Sequence, residues 1–319
     1  MCYSAQVWAD YRKYVRHFGA ALSLEEFSDL FFRRQTDAKL KVPRGMATAF
    51  TETKSLAEQK IKSAIDAFDA AETTRLEQEL FTQRTRLNDA ERALATKITK
   101  AATESKRIAA DKIERAKARL EDLRRTEPKD RDGRIYPGYY APVMIMENRK
   151  LVIKPMRYGC RPHGKPANYD TKYPGTYNSR RDNLTGFWKG QFGHTHGIVG
   201  INAFYENVNR HRVEGRELAE GEKPANVVLA FNPKPQQDMF VACVWSHWIK
   251  DGEPDLWSFA AITDEPPAEV SAAGHDRCII PIKPENIPAW LNPEPANLDA
   301  QSAILNDRER PYYEHRTAA

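Results

Sequence analysis

Hydrophobic positions divide the chain into three zones with different periods. In residues 1–50, the stretch SLEEF from Ser23 predicts a helix that begins with a serine cap and acidic residues in its first turn. After Pro128, short apolar runs separated by glycine and proline predict β-strands. These runs are APVMIM, KLVIKPMRY, GIVGINAFY, NVVLAF, MFVACVW, LWSFAAIT and RCIIPI. The last zone is therefore predicted to form a mostly antiparallel sheet or barrel.

The middle zone has a helical pattern. Residues 46–127 contain neither glycine nor proline, and their apolar residues recur at steps of three and four. The thin apolar seam predicts either one long helix or a helical hairpin that folds back near residues 87–89; the hairpin is favoured. Residues 97–125 are basic, which indicates a solvated helix face or an arm that contacts nucleic acid or a protein partner.

Together the zones predict an α+β fold with a discontinuous sheet domain. This domain comprises residues 1–50 and 128–295, and a helical insertion, hairpin-like or coiled-coil-like, occupies residues 51–127. Residues 296–319 are polar and contain proline, and they are predicted to form a C-terminal tail.

Composition narrows the class of protein. The chain has 319 residues, 41% of them hydrophobic, and 49 Lys and Arg against 44 Asp and Glu give a net charge of +5, mild support for a polyanionic partner. No apolar run approaches a membrane span and the N-terminus does not resemble a signal peptide, so a cytoplasmic protein is predicted. The four scattered cysteines favour reduced thiols over a disulfide framework.

One of these cysteines stands at position 2, in MCYSAQ. Removal of Met1 would give Cys2 an α-amine and a thiol on adjacent carbons. The amine titrates near pH ~7.7 to 8.0, so a useful fraction can attack an aldehyde at neutral pH. The thiol can then close a five-membered ring.

Other candidate groups follow β-like runs in the last zone. YNSRRDN contains Asn178, GINAFYE ends at Glu206, and GHDRCIIPI contains His275. An amide, a carboxylate and a histidine at strand ends could converge as an orienting donor and as acid/base groups. A lone glutamate or histidine at a strand end is more often a surface or hydrogen-bonded structural group.

Taken together, MCYSAQ, MRYGCRPHG, YNSRRDN, GINAFYE and ITDEPPAEVSAAGHDRCIIPI resemble the ordered motifs of the SRAP family, the SOS-response-associated peptidase proteins. The resemblance covers the first few residues and about 150–290, but not the helical insertion. It implies a covalent sensor of abasic sites in single-stranded DNA, cytoplasmic and nucleoid-associated when bound, with no cofactor.

The resemblance also implies roles for individual residues. Cys2 would form a thiazolidine with the ring-opened sugar aldehyde, and Asn178 would position the amine or the sugar. Arg180 would hold a phosphate. Glu206 would act as general acid/base, and His275 would shuttle protons to the deoxyribose oxygen.

The chain departs from the family's usual M-C-G-R start by carrying Tyr3 and Ser4. We expect Arg181, Arg157 or the basic helix to supply the phosphate contact that the missing arginine would make. Tyr3 would either restrict the approach to Cys2 or stack on a base.

Three alternative interpretations remain. The family name implies self-removal of Met1 by attack of the Cys2 thiol, with Glu206 or His275 as base, and a cysteine peptidase could also act in trans. A zinc site could use Cys160 and His163 with His194 and His196, spaced C-x-x-H and H-x-H. Finally, the domain could be a catalytically silent scaffold whose helices recruit a partner.

Overall fold

The structure is a computed structural model that describes residues 4–318. Cys2 and Tyr3, to which the sequence assigns roles, lie outside the described residues. The fold is α+β with one large sheet, as predicted. Its strands are β1 (Ser4–Val7), β2 (Ala21–Leu22), β3 (Arg134–Ile135), β4 (Tyr140–Glu147), β5 (Lys150–Tyr158), β6 (Asn178–Arg180), β7 (His196–Asn209), β8 (Asn226–Lys234), β9 (Met239–Trp248), β10 (Leu256–Asp264), β11 (Cys278–Ile279) and β12 (Tyr312–Thr317).

Part of the sheet closes into a barrel. β4 pairs with β5, β5 with β10, β10 with β9, β9 with β7, and β7 with β4. The β4–β5 connection is a two-residue turn, in which Asn148 and Arg149 have φ values of 49° and 63°, as tight hairpins of this type require. The buried side chains of Val143 and Cys243 lie beside Gly197, where a Cβ would meet both at 3.0 Å.

Strand β7 leads from the barrel to the candidate site. Its residues 196–201 pair with β9, residues 201–205 with β1, and residues 204–209 with β8. β1 in turn pairs with β3 on its other side. Because side chains alternate along a strand, Phe204 and Glu206 point to one face of the sheet and Tyr205 to the other.

Aromatic packing anchors the end of β1. Trp8 is 3% exposed, and its Nε1 donates to Asp238 Oδ1 at 2.8 Å. It packs edge-to-face on Tyr14 at 5.2 Å between ring centroids, and the Tyr14 hydroxyl accepts from the Gly200 amide at 2.7 Å. A Cβ on Gly200 would lie 2.8 Å from the Trp8 ring, so the close approach of β1 to β7 requires glycine there.

In chain order, the helices alternate with the strands or fall between them. The predicted helix in SLEEF begins at Leu24, directly after Ser23, and carries Glu25 and Glu26 in its first turn. The helices are α1 (Arg12–Phe18), α2 (Leu24–Thr36), α3 (Arg44–Thr48), α4 (Leu56–Thr96), α5 (Lys100–Arg124), α6 (Tyr169–Lys172), α7 (Arg210–Val213), α8 (Ala268–Ala272), α9 (Ile287–Leu291) and α10 (Leu298–Asn306). Short 3₁₀ turns occur at Asp130–Gly133, Arg181–Asn183 and Pro284–Asn286.

The chain divides into two compact units. The first contains the sheet and comprises the described residues up to Leu30, residues 38–52 and the chain from Asp130 onward. The second comprises residues 31–37 and 53–129, whereas the sequence predicted an insertion of residues 51–127.

The second unit contains a helical hairpin formed by α4 and α5. Leu76 packs on Ala116 and Leu120 in the seam between the two helices. The predicted fold-back near residues 87–89 is wrong, because α4 continues to Thr96. The break falls at residues 97–99, where the side chain of Thr99 accepts from the Ala102 amide and caps α5.

Residues 296–318 do not form the polar tail that was predicted for residues 296–319. They contain α10 and β12, and β12 pairs antiparallel with β8. Tyr313 is 3% exposed and its amide donates to Glu269 Oε1 at 3.1 Å. A strand with one buried side chain has too weak an apolar pattern to be recognised from its sequence.

No helix in the described part of the chain is long and apolar enough to cross a membrane. Cys160, Cys243 and Cys278 are buried free thiols.

Candidate functional site

The candidate site is centred on a buried carboxylate. Glu206 lies in β7 opposite Leu229 of β8, and its side chain is completely shielded from solvent. The preceding residue, Tyr205, pairs with Ser4 at the start of the described chain. The carboxylate is therefore held by a central strand, directly beside β1.

His275 reaches this carboxylate from the loop between α8 and β11. Gly274, with φ of 93°, makes the turn that a residue with a side chain would adopt only under strain. His275 Nε2 then lies 3.2 Å from Glu206 Oε2. Burial lowers the pKa of His275, which favours the neutral imidazole at pH 7.

The contacts of His275 assign its hydrogen. Nδ1 lies 2.9 Å from the Arg277 carbonyl oxygen and 3.3 Å from the Arg277 amide nitrogen. Because a carbonyl can only accept and makes the shorter contact, Nδ1 carries the hydrogen and donates it. The neutral ring then presents a lone pair on Nε2, facing a carboxylate oxygen.

Two lone pairs at 3.2 Å repel each other unless a proton lies between them. The Glu206–His275 pair therefore holds one shared proton across the 3.2 Å contact. Such a pair can give a proton to a bound group and take one back.

Asn178 lies in β6, which pairs in parallel with β10. Its side chain is buried, and its Oδ1 accepts from the Tyr158 hydroxyl at 3.3 Å. Among the described residues, Nδ2 has no hydrogen-bond partner. An amide donor held in this way is available to a ligand. Tyr158 was not identified as a site residue from the sequence, although it belongs to the MRYGC stretch.

Arg180 is exposed beside the His275 loop, but its charge is compensated. It pairs with Asp182 at 2.6 Å and also lies within the electrostatic influence of Asp276. Arg180 is therefore near the candidate site and can exchange a surface carboxylate for another anion.

Arg181 and Arg157, also predicted to bind DNA, are held by carboxylates. Arg181 pairs with Asp264 at 2.8 Å, and Arg308 binds the same carboxylate at 2.5 Å. Arg157 pairs with Asp170 at 2.6 Å and is largely buried. These ion pairs join distant segments, and using them for DNA would require breaking them.

Arg134, which sequence reasoning missed, lies on the other face of β7. Its guanidinium carbon is 3.7 Å from the ring centroid of Tyr205, and its Nε donates to Ser4 Oγ at 3.2 Å. No motif in GRIYP signals this placement, because it depends on the pairing of β3, β1 and β7.

The thiols of the described residues are poor nucleophiles. Burial raises the pKa of Cys160 to about 12 and raises those of Cys243 and Cys278 further. Cys278 lines a cavity of about 780 Å³ but stays protonated at neutral pH.

One of the histidines proposed as zinc ligands, His196, uses its ring nitrogens in other contacts. His196 Nδ1 contacts the Trp290 carbonyl oxygen at 3.0 Å, and its Nε2 accepts from the Gly193 amide at 2.8 Å. Both ring nitrogens are thus occupied in structural hydrogen bonds. Within residues 4–318, no group of three or more His, Cys, Asp or Glu side chains is arranged to hold a metal ion.

The model of the family described as SOS response associated peptidase (SRAP) matches residues 94–317. The match spans more than half of the sequence, so the chain belongs to the SRAP family. The matched region includes Asn178, Glu206 and His275, whereas Cys2 lies outside it. Membership associates the chain, at the level of the family, with DNA damage, the SOS response and peptidase-like DNA–protein crosslinking.

Several solved structures are similar to this chain. A protein from Bordetella bronchiseptica has a TM-score of 0.47 and 15% identity over 59% of this chain and 87% of that chain. A protein from Bacteroides thetaiotaomicron has a TM-score of 0.45 and 14% identity over 59% and 78%. A phage-related protein from Bordetella bronchiseptica has a TM-score of 0.44 and 18% identity over 61% and 85%. No curated protein matches the sequence significantly.

Proposed function

We propose that this protein forms a covalent link to abasic sites in single-stranded DNA, through a thiazolidine made by Cys2 after Met1 is removed. The observation that carries the proposal is the buried Glu206–His275 pair beside β1. Cys2 is two residues before Ser4, and two residues of extended chain span at most about 7 Å. The proposed nucleophile is therefore within a short reach of the strand that holds Glu206.

The proposed reaction needs one proton donor and one proton acceptor. The Cys2 amine adds to the sugar aldehyde and gives a carbinolamine, which takes a proton from the pair on its hydroxyl and loses water to form a protonated imine. The thiol then adds to the imine carbon, and the thiol proton returns to the Glu206–His275 pair. The net change is aldehyde plus cysteine giving thiazolidine plus water, so no oxidant or second nucleophile is required.

The shared proton suits this sequence. Glu206 Oε2 would protonate the departing hydroxyl, and the pair would recover a proton when the thiol adds. The raised pKa values of Cys160 and Cys278 disfavour either as the nucleophile. Asn178 would direct its Nδ2 to the sugar or the amine, and Arg180 would exchange Asp182 for a phosphate.

The same pair would serve the maturation step. With Met1 in place, the Cys2 thiol would attack the Met1 carbonyl while Glu206 or His275 accepts its proton. The peptide bond to the Cys2 nitrogen would break and leave a thioester, which water would hydrolyse to release methionine and restore the thiol. We expect intact-mass measurement of purified protein to show the loss of one methionine. Retention of Met1 in protein that still crosslinks would contradict the mechanism.

The decisive experiment mixes the protein with single-stranded DNA bearing one abasic site and then denatures it. We expect a slow-migrating band without added reductant, because the thiol closes the ring. Cys2→Ser, prepared with Met1 already removed, should lose this band yet retain a borohydride-trappable imine, because the α-amine of residue 2 is then free. Cys278→Ser is the matched control and should crosslink like the wild type.

The other outcomes separate the alternatives. A scaffold or a metal site predicts no band. A peptidase acting in trans predicts cleavage of added peptide and no band that depends on the abasic sugar. An unlinked abasic strand with wild-type protein overturns the proposed function.

A further inference from the structure

Arg134 is held in a fixed orientation at the start of β3. Its guanidinium carbon lies 3.7 Å from the ring centroid of Tyr205 and 5.1 Å from that of Tyr136. Its Nε donates to Ser4 Oγ at 3.2 Å. An aromatic face and a hydroxyl thus fix the plane of the guanidinium.

The backbone beneath Arg134 is also fixed. Gln6 pairs with Arg134, and Ala5 pairs with Ile135 across β1. At the preceding residue, Gly133, a Cβ would lie 2.7 Å from the Val7 carbonyl oxygen. The absence of a side chain at position 133 therefore allows β3 to approach β1 closely and places Arg134 over Tyr205.

The charge of Arg134 is not compensated by the described residues. Within residues 4–318, no carboxylate lies within ion-pair distance of its guanidinium, whereas Arg157 and Arg181 pair with Asp170 and Asp264. The described residues also give no hydrogen-bond partner to Nη1 or Nη2. A rigid guanidinium with both terminal nitrogens available fits a phosphate, which it can bind through two parallel hydrogen bonds.

We propose that Arg134 binds a backbone phosphate of the single-stranded DNA that enters the Glu206–His275 site. This inference deepens the proposed function, since it names a phosphodiester contact for the same site. Arg134 and Tyr205 lie on the face of β7 opposite Glu206, and Arg134 is linked to the proposed chemistry through Ser4, which directly follows the N-terminal residues that carry it. A phosphate bound by Arg134 would hold the strand beside the end of β1 from which those residues extend.

The test measures binding of an intact single strand, without an abasic site, by fluorescence anisotropy across salt concentrations. For single strands each phosphate contact contributes about 0.7 to the slope of log K against log salt. Arg134→Gln should reduce the magnitude of this salt slope by about 0.7. The affinity of the variant relative to the wild type should therefore be about 5-fold lower at 0.1 M salt than at 1 M salt. Arg134→Lys should keep the slope but bind about 2- to 5-fold more weakly, since a lysine cannot make the bidentate contact.

Arg216→Gln is the matched control. It removes the same charge from an exposed arginine that pairs with Glu214 and Glu222, and its slope should equal that of the wild type. Arg134→Lys and the wild type should have similar melting temperatures, which separates binding from folding. If Arg134→Gln and Arg134→Lys both bind like the wild type, the proposal is wrong.

A competition arm identifies the source of the phosphate. Inorganic phosphate, added at constant ionic strength, should displace the strand from the wild type more effectively than from Arg134→Gln. If Arg134→Gln loses only the effect of inorganic phosphate and keeps its strand affinity, the site binds free phosphate and the DNA contact is refuted. Because the strand has no abasic site, failure of the covalent reaction would not affect this measurement.

Discussion

Replacement of Glu206 by glutamine tests the shared proton directly. In Glu206→Gln, the side-chain amide can still donate to His275 Nε2 across the 3.2 Å contact, so the buried hydrogen bond survives. The amide cannot transfer that hydrogen at neutral pH. The variant therefore removes proton transfer while it keeps shape, burial and hydrogen bonding.

The expected magnitude follows from the role of the proton. General acid/base catalysis contributes typically about 10²- to 10⁴-fold, which is about 2.7 to 5.4 kcal/mol of activation free energy. The free energy of unfolding should change by less than about 1.5 kcal/mol, because the hydrogen bond is retained. A large loss of rate with little loss of stability distinguishes a catalytic from a structural carboxylate.

The assay is single-turnover crosslinking to an abasic single strand, stopped by denaturation at successive times. The wild-type rate should persist as the pH falls to about 6.5, since burial places the pKa of His275 below its usual value. At lower pH the imidazole takes a second proton, Nε2 no longer accepts, and the rate should fall.

Glu253→Gln, an exposed carboxylate on the β9–β10 connection, is the control and should react at the wild-type rate. If Glu206→Gln crosslinks as fast as the wild type, then Glu206 transfers no proton in a rate-limiting step. The assignment of the shared proton to catalysis would then be wrong.

Two further predictions concern stability. Burial lowers the pKa of His196 to about 3, so below about pH 6.5 the unfolded chain binds a proton that the folded chain does not. Between about pH 6.5 and 5 the wild type should lose about 2 kcal/mol of unfolding free energy from this group, and chemical denaturation of His196→Gln should show a shallower loss. If the unfolding free energy of both proteins falls with pH at the same slope, His196 does not cause the loss of stability. Gly200→Ala would force a Cβ to 2.8 Å from the ring of Trp8 and should cost about 1 to 3 kcal/mol in thermal or chemical unfolding. Gly190→Ala, which meets nothing within 4 Å, should unfold like the wild type, and equal stabilities of the two variants would refute the steric argument.

Local pattern was sufficient to predict the sheet and the helical hairpin. The apolar runs after Pro128 correspond to strands, because each buries side chains in the barrel or the sheet. The position of the hairpin turn was not predictable in this way. Asn88 and Asp89 are ordinary turn formers, yet they lie within α4, and the Thr99 cap decides where α5 begins.

The site was predictable only in part. His275 and Glu206 stand 69 positions apart in sequence, and the family resemblance singled out both before their 3.2 Å contact could be measured. The partners of the arginine side chains were not predictable from the sequence. The ion pair between Arg181 and Asp264 and the stacking of Arg134 on the Tyr205 ring both depend on strand pairings between distant segments.

The helical arm, residues 53–129, is inserted between two neighbouring positions of the sheet unit. α3 precedes the arm, the Asp130–Gly133 turn follows it, and a Cβ on Gly45 would lie 3.1 Å from the Asp132 carbonyl oxygen. A segment whose ends meet imposes little closure entropy on its host, since each doubling of loop length costs only about 0.6 kcal/mol. In evolutionary terms, a gene can lengthen, shorten or exchange such an arm by insertion or deletion at this point. The strands around Glu206 would then stay under separate selection from whatever the arm contacts.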